Sequence, residues 1–197
     1  MAKLYFRFGA MGSGKTIDLL KVAYNYQERG QEVVLYTAEI DNRYEVGKIT
    51  TRIGLQADAK TFNSDTNIYR EVKSLDPKPA CILIDEAQFL TRRQVLQLTD
   101  IVDILDIPVI CYGLRTNFKM KFFSGSLPLM EMADKIEEIK TICDCGAKAT
   151  VNMRMINGVP VTSGPDILIG GNDSYKAVCR KCYKRLTHHV PGIDEFD

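Results

Sequence analysis

The octapeptide Gly9-Ala10-Met11-Gly12-Ser13-Gly14-Lys15-Thr16 constrains what this chain can fold into more than any other stretch. It satisfies G-x-x-x-x-G-K-[ST] in full, with a short apolar run, Leu4 to Phe8, before it and a helix-like segment, Thr16 to Glu28, after it. Glycines at this spacing let backbone amides converge on phosphate oxygens with no side chains in the way. The positive end of the following helix adds to the field there. In that geometry Lys15 reaches the β- and γ-phosphates of a bound nucleotide, and the Thr16 hydroxyl ligates Mg²⁺. Residues 9–16 are therefore the candidate ATP-binding loop. A glycine-rich turn matching by chance is the bland alternative, and the flanking strand and helix patterns weigh against it.

The surrounding chain alternates in the way such a loop requires. Ile17, Leu20 and Tyr24 give Thr16 to Glu28 an apolar helical repeat that stops near Gly30. Val33 to Tyr36, Cys81 to Ile84 and Pro108 to Tyr112 read as buried strands, and Ile68 to Leu75 as a short helix. Thr91-Arg92-Arg93-Gln94 is a capping box, followed by the series Val95, Leu98, Ile101, Val102 and Leu105. Continuous apolar strands alternating with helices predict an α/β fold: a parallel sheet of the RecA-like P-loop type with helices on both faces. Around residue 140 the texture changes to paired cysteines and frequent glycines. This places a boundary between a nucleotide-binding domain, 1–140, and a small zinc-binding domain, 141–191, with a loose tail at 192–197.

Two carboxylates close the strand Ile82-Leu83-Ile84. Asp85 fits a second Mg²⁺ partner, direct or through water. Glu86, expected to point elsewhere, can take a proton as general base. The residue types alone leave open whether Glu86 activates water, as in an ATPase, or a substrate hydroxyl, as in a kinase. Asp85-Glu86-Ala87-Gln88 also spells a helicase motif, and the run Lys176, Arg180, Lys181, Lys184 and Arg185 is basic. Against a nucleic-acid motor, 197 residues hold only one such domain, and 26 basic against 25 acidic residues leave a net charge of +1.

Cys143-x-Cys145 and Cys179-x₂-Cys182 form two close pairs, suited to a closed tetrahedral zinc site rather than to a redox dithiol. Cys81 and Cys111 lie in apolar runs and read as core residues, and His188 and His189 as solvent-facing. No export signal or membrane-length apolar run is evident. The expected setting is therefore the reducing cytoplasm, with neither membrane nor nucleic acid as a partner. Between the pairs, Gly158 to Tyr175 is rich in glycine. Its residues allow equally a loop that closes over a ligand or a plain hairpin excursion.

Taken in order, Gly9 to Thr16, Asp85-Glu86-Ala87-Gln88-Phe89, Gly113-Leu114-Arg115-Thr116-Asn117-Phe118, Ile169-Gly170-Gly171 with Tyr175, and the cysteine quartet resemble the type II thymidine kinase family. Tyr26 to Gly30, Tyr36-Thr37-Ala38 and Thr51-Arg52-Ile53-Gly54 look like its bacterial branch. The resemblance spans essentially the whole chain. It implies ATP-dependent phosphorylation of the thymidine 5′-hydroxyl, extending to deoxyuridine, with Glu86 as general base and Mg²⁺ held by Thr16 and Asp85. It also implies a nucleoside pocket shaped by Met11, Phe89, Leu114 and Phe118. The base is then gripped by a zinc-anchored lasso comprising Asp166, Ile167, Leu168, Ile169 and Gly170, together with Tyr175. Feedback inhibition by dTTP and a homotetramer are further implications.

Overall fold

A computed structural model describes residues 1–41, 45–166 and 174–188. The expected loose tail, His189 and the lasso positions Ile167, Leu168, Ile169, Gly170 and Gly171 lie outside them.

In chain order the elements are β1 (Leu4–Phe8), α1 (Lys15–Gln27), β2 (Val33–Ala38), β3 (Lys48–Thr50), β4 (Gln56–Asp58), β5 (Lys60–Phe62), α2 (Ile68–Ser74), β6 (Cys81–Ile84), α3 (Arg92–Leu105), β7 (Val109–Gly113), α4 (Ser126–Met132) and β8 (Lys135–Glu138). They continue with β9 (Val151–Ile156), β10 (Val159–Val161), β11 (Tyr175–Val178) and α5 (Arg180–Thr187). Strands β5, β2, β6, β7, β1 and β8 form one sheet in that order, parallel throughout.

Alternation along the strands divides the core between the two faces of this sheet. Ile82 and Ile84 of β6, with Val109 and Cys111 of β7, face α2, α3 and α4 through Val72, Leu98, Ile101 and Leu129. Cys81 and Leu83, with Ile110 and Tyr112, face α1 through Leu19, Leu20 and Ala23. Burial on both faces is what a parallel sheet requires, and it explains the uninterrupted apolar runs. The capping box opens α3: Gln94 N–H donates to Thr91 Oγ1 at 3.2 Å, and Thr91 N–H to Gln94 Oε1 at 3.0 Å.

The stripe on α1 differs from the sequence reading. Leu20 is buried as the repeat requires, but Ile17 and Tyr24 are 41% and 58% exposed, and Leu19 and Ala23 join Leu20 on the core face instead. The sheet fixes this rotation, because the helix must begin at the phosphate loop with Lys15 and Thr16 facing the sheet's carboxyl edge.

β9, β10 and β11 form a separate antiparallel sheet with β9 in the centre. With α5 they enclose a third apolar cluster around Val151, Met153, Val178 and Tyr183, which also includes Cys143, Cys179 and Cys182. Tyr183 Oη donates to Phe118 O at 3.2 Å, tying α5 to the segment that follows β7.

Candidate active site

β1 delivers the phosphate loop to the carboxyl edge of the sheet, and the backbone there admits little but glycine. Gly12 and Gly14 have φ of +75° and +84°. A Cβ on Gly9 would sit 2.4 Å from both Ile139 O and Ser13 Oγ. Lys15 Nζ donates to Gly9 O at 3.2 Å and Ala10 O at 2.9 Å, which holds the ammonium over the loop.

β6 brings Asp85 to the same edge, two strands from β1. Thr16 Oγ1 donates to Asp85 Oδ2 at 3.1 Å, joining the two candidate Mg²⁺ ligands. Asp85 is buried, and burial together with the neighbouring charge of Glu86 pushes its carboxyl up to about 7, against the pull of Thr16 and Lys15. Thr16 and Asp85 supply hard oxygens facing one cavity, the donor type that magnesium prefers.

Glu86 leaves the strand altogether. Its φ of +52° is left-handed, uncommon outside glycine, and breaks the extended backbone of β6 at this residue. Gln88, in the 3-10 turn Ala87–Phe89, donates from Nε2 to Glu86 Oε2. The Gln88 Oε1 atom accepts from Leu114 N–H at 3.0 Å. This buried amide thus fixes the Glu86 carboxylate against the end of β7. A Cβ on Gly113 would lie 2.8 Å from Gln88 Oε1, so the glycine leaves room for the bridge.

A cavity of about 180 Å³ collects Lys15, Thr16, Asp85, Glu86, Met11 and Leu114. Thr37, Lys48 and Arg52 also line it, the last two from the β3–β4 hairpin. A shallower groove of about 540 Å³ meets it at Met11, Gly12 and Arg52 and runs to Tyr175, Lys176 and Met155. Phe89 packs edge-on against Phe123, with centroids 5.9 Å apart, and Phe118 is buried beneath Arg154; neither lines these cavities. The Asp166 carboxylate accepts from Lys119 Nζ at 2.8 Å.

Four sulfurs stand together in the smaller module. Their Sγ atoms all lie within 4.8 Å of one another, and Cys145 and Cys179 are 3.7 Å apart. Thiolates about 2.3 Å from a tetrahedral zinc ion sit roughly 3.8 Å from each other, so the set is compatible with a zinc site. Backbone N–H groups of Cys145 and Cys179 hold the Cys143 thiol down to about 6, and the sulfurs of Cys145 and Cys179 push Cys182 up to about 12. The four sulfurs thus share one set of hydrogen bonds unequally, and a divalent cation would hold all four as thiolates.

Three residues to which the sequence reading gives no role in the site are structurally prominent. Gln88 holds Glu86. Asn152 Oδ1 accepts the Met11 amide of the phosphate loop at 2.7 Å. Arg154 is 2% exposed among the lasso-side residues. Gln88 lies within the Asp85-Glu86-Ala87-Gln88 run, two residues from Glu86, but its second partner, Leu114 N–H, and the partners of Asn152 and Arg154 are brought up only by the fold. The alternation Asn152-Met153-Arg154 does carry a polar–apolar–polar strand signal.

A glycine-rich loop and a lysine at a helix start, facing two carboxylates two strands away in a parallel sheet, define a P-loop phosphotransferase. The thymidine kinase family model matches residues 2–183. The chain is 51% identical to thymidine kinase of Salmonella paratyphi A, covering 93% of this chain and 91% of that one. It is 52% identical to thymidine kinase of Vibrio parahaemolyticus, at 93% and 97% coverage. The chain belongs to the thymidine kinase family. Among solved structures, Bacteroides Pif1 bound to ssDNA aligns at a TM-score of 0.37 and 15% identity over 70% of this chain and 38% of that one, too remote to bear on function. No helix among the described residues is long and apolar enough to cross a membrane.

Proposed function

We propose that this chain transfers the γ-phosphoryl group of ATP to the 5′-hydroxyl of thymidine, and of deoxyuridine. The reading is carried by the convergence of Lys15, Thr16, Asp85 and Glu86 on one cavity in a member of the thymidine kinase family. The loop amides of residues 9–16 and Lys15 cradle the phosphates, and Thr16 and Asp85 hold Mg²⁺. Magnesium, when bound, neutralises charge on the transferring group. Glu86, fixed by Gln88, accepts the hydroxyl proton as the acceptor oxygen attacks, a role typically worth 10²- to 10⁴-fold. Met11 and Leu114 line the cavity and Tyr175 the adjoining groove; in this reading they border the nucleoside, and Asp166, Ile167, Leu168, Ile169 and Gly170 grip its base. Phe89 and Phe118 then shape the pocket from behind, through Phe123 and Arg154.

The same reading places structural zinc on Cys143, Cys145, Cys179 and Cys182, and divides the chain near residue 140 into a nucleotide-binding and a zinc-anchored domain. It extends to a cytoplasmic homotetramer inhibited by dTTP. The test is label transfer from [γ-³²P]ATP with each deoxynucleoside offered singly and a control without acceptor. Label in thymidine monophosphate, with little hydrolysis in the control, supports the assignment. Acceptor-independent hydrolysis with no labelled monophosphate overturns it.

A further inference from the structure

Arg154 is a buried charge that phosphoryl transfer at the loop does not use. It sits on β9, the centre of the small sheet, and its cross-strand partners are Val161 on β10 and Tyr175 on β11. Those two residues are where the 162–174 connection leaves the sheet and returns to it. Arg154 therefore stands at the root of that connection, between its two ends.

Its guanidinium grips both ends. Nη1 donates to Pro165 O at 2.6 Å, and Nη2 makes a longer contact to Asp166 O at 3.4 Å. Nε and Nη2 donate to Tyr175 Oη at 3.1 and 2.7 Å. The Cζ atom lies 3.8 Å from the centroid of the Phe118 ring, a cation–π contact. Among the described residues no carboxylate pairs with it, since the Asp166 carboxylate is engaged by Lys119. A buried cation held, among the described residues, by neutral acceptors and a ring face is costly, and an apolar side chain of similar volume would fill the space more cheaply. The planar fork offers what such a side chain lacks: fixed directions to two chain segments and a ring at once.

We propose that Arg154 is a positioning residue for the nucleoside side of the site. It locks Tyr175 and the Pro165–Asp166 segment over Phe118, and so sets affinity for the nucleoside without setting affinity for the phosphate donor. The inference rests on the acceptor reading above for the identity of the nucleoside, and on geometry alone for the clamp.

The test compares Arg154→Met, Arg154→Lys, Tyr175→Phe and the Arg154→Met/Tyr175→Phe double variant. Each is assayed with thymidine varied at saturating MgATP and the reverse, alongside hydrogen–deuterium exchange of peptides spanning residues 159–176. Arg154→Met is expected to raise the thymidine KM roughly tenfold or more, the scale of losing hydrogen bonds to a charged group, with the ATP KM and kcat changing far less. Lysine cannot reproduce the fork and is expected to restore only part of the loss. Exchange should rise in residues 159–176 and stay unchanged in the phosphate-loop peptide. Tyr175→Phe, which alters one hydroxyl, should show the same KM split if Arg154→Met fails to fold. The double variant should be no worse than the stronger single one. A thymidine KM within twofold of wild type, or a rise in both KM values with full rescue by lysine, overturns the proposal. An inactive wild type overturns the thymidine reading, and the exchange experiment then decides the clamp: no difference between wild type and variant removes it.

Discussion

Lys15 finds Gly9 O and Ala10 O within six residues of itself, so the lysine of the candidate phosphate loop is held by local backbone. On the acceptor side, Asn152 reaches back 141 residues to Met11, and Tyr183 reaches 65 residues to Phe118. One half of the site is local geometry resting on a sheet buried on both faces. The other is a small sheet whose core includes three of the four clustered cysteines. A core of that size supplies little stability by itself, so its order depends on the sulfur cluster and on contacts with the larger unit. The two halves should therefore fail separately.

Removing the proposed zinc separates them most sharply. Stripping zinc with a chelator, or Cys182→Ser, is expected to abolish thymidine phosphorylation, by more than about 10²-fold, because a lost structural zinc unfolds what it anchors. MgATP binding, followed by titration calorimetry, should persist within a few-fold. Loss of both together would break the comparison. Asp85→Asn strikes the other half. It is expected to cut turnover by more than about 10²-fold through lost placement of the reacting groups.

That substitution carries a pH signature as well. A carboxyl whose pKa rises from 3.8 to about 7 on folding binds its proton more tightly in the folded chain. Its ionisation therefore withdraws stability as pH climbs between those two values. Metal-free Asp85→Asn is thus expected to gain more in Tm over wild type at pH 8 than at pH 5, as read by calorimetry. An equal gain at both would show that Asp85 titrates normally.

A smaller effect comes from Asn152→Ala, which removes the partner of the Met11 amide. The ATP KM is expected to rise roughly three- to tenfold, the scale of one hydrogen bond left unmade. An unchanged ATP KM would mean the zinc-side module does not steady the loop. Smallest of all, Thr91→Ala removes the α3 cap far from either half. It should cost about 1 kcal/mol in denaturant titrations and leave both KM values alone.

The same contrast explains what the sequence made legible. The loop, the buried strands of the large sheet, the α3 capping box and the cysteine quartet are each defined by neighbours in sequence, and they can be read there. β8 was not anticipated, because as an edge strand it needs only one paired side and its Lys-Ile-Glu-Glu composition breaks the apolar run. The β3–β4 hairpin, which brings Lys48 and Arg52 to the cavity, is short and polar and leaves no periodicity to find. Glu86 was legible as a residue but not as a conformation: its left-handed backbone and its grip by Gln88 follow from how β6 ends beside β7. Arg154 carries no signal of burial in its sequence neighbours, because Pro165, Phe118 and Tyr175 reach it only through the fold.

The central claim is that the carboxylate held by Gln88 takes the acceptor's proton while the phosphate loop works independently of it. Glu86→Gln keeps the shape and removes the base. Measured by calorimetry and by single-turnover label transfer, it is expected to bind MgATP and thymidine as wild type does and to transfer phosphate about 10²- to 10⁴-fold more slowly. Transfer at the wild-type rate with binding intact would contradict the account and take Glu86 out of the chemistry.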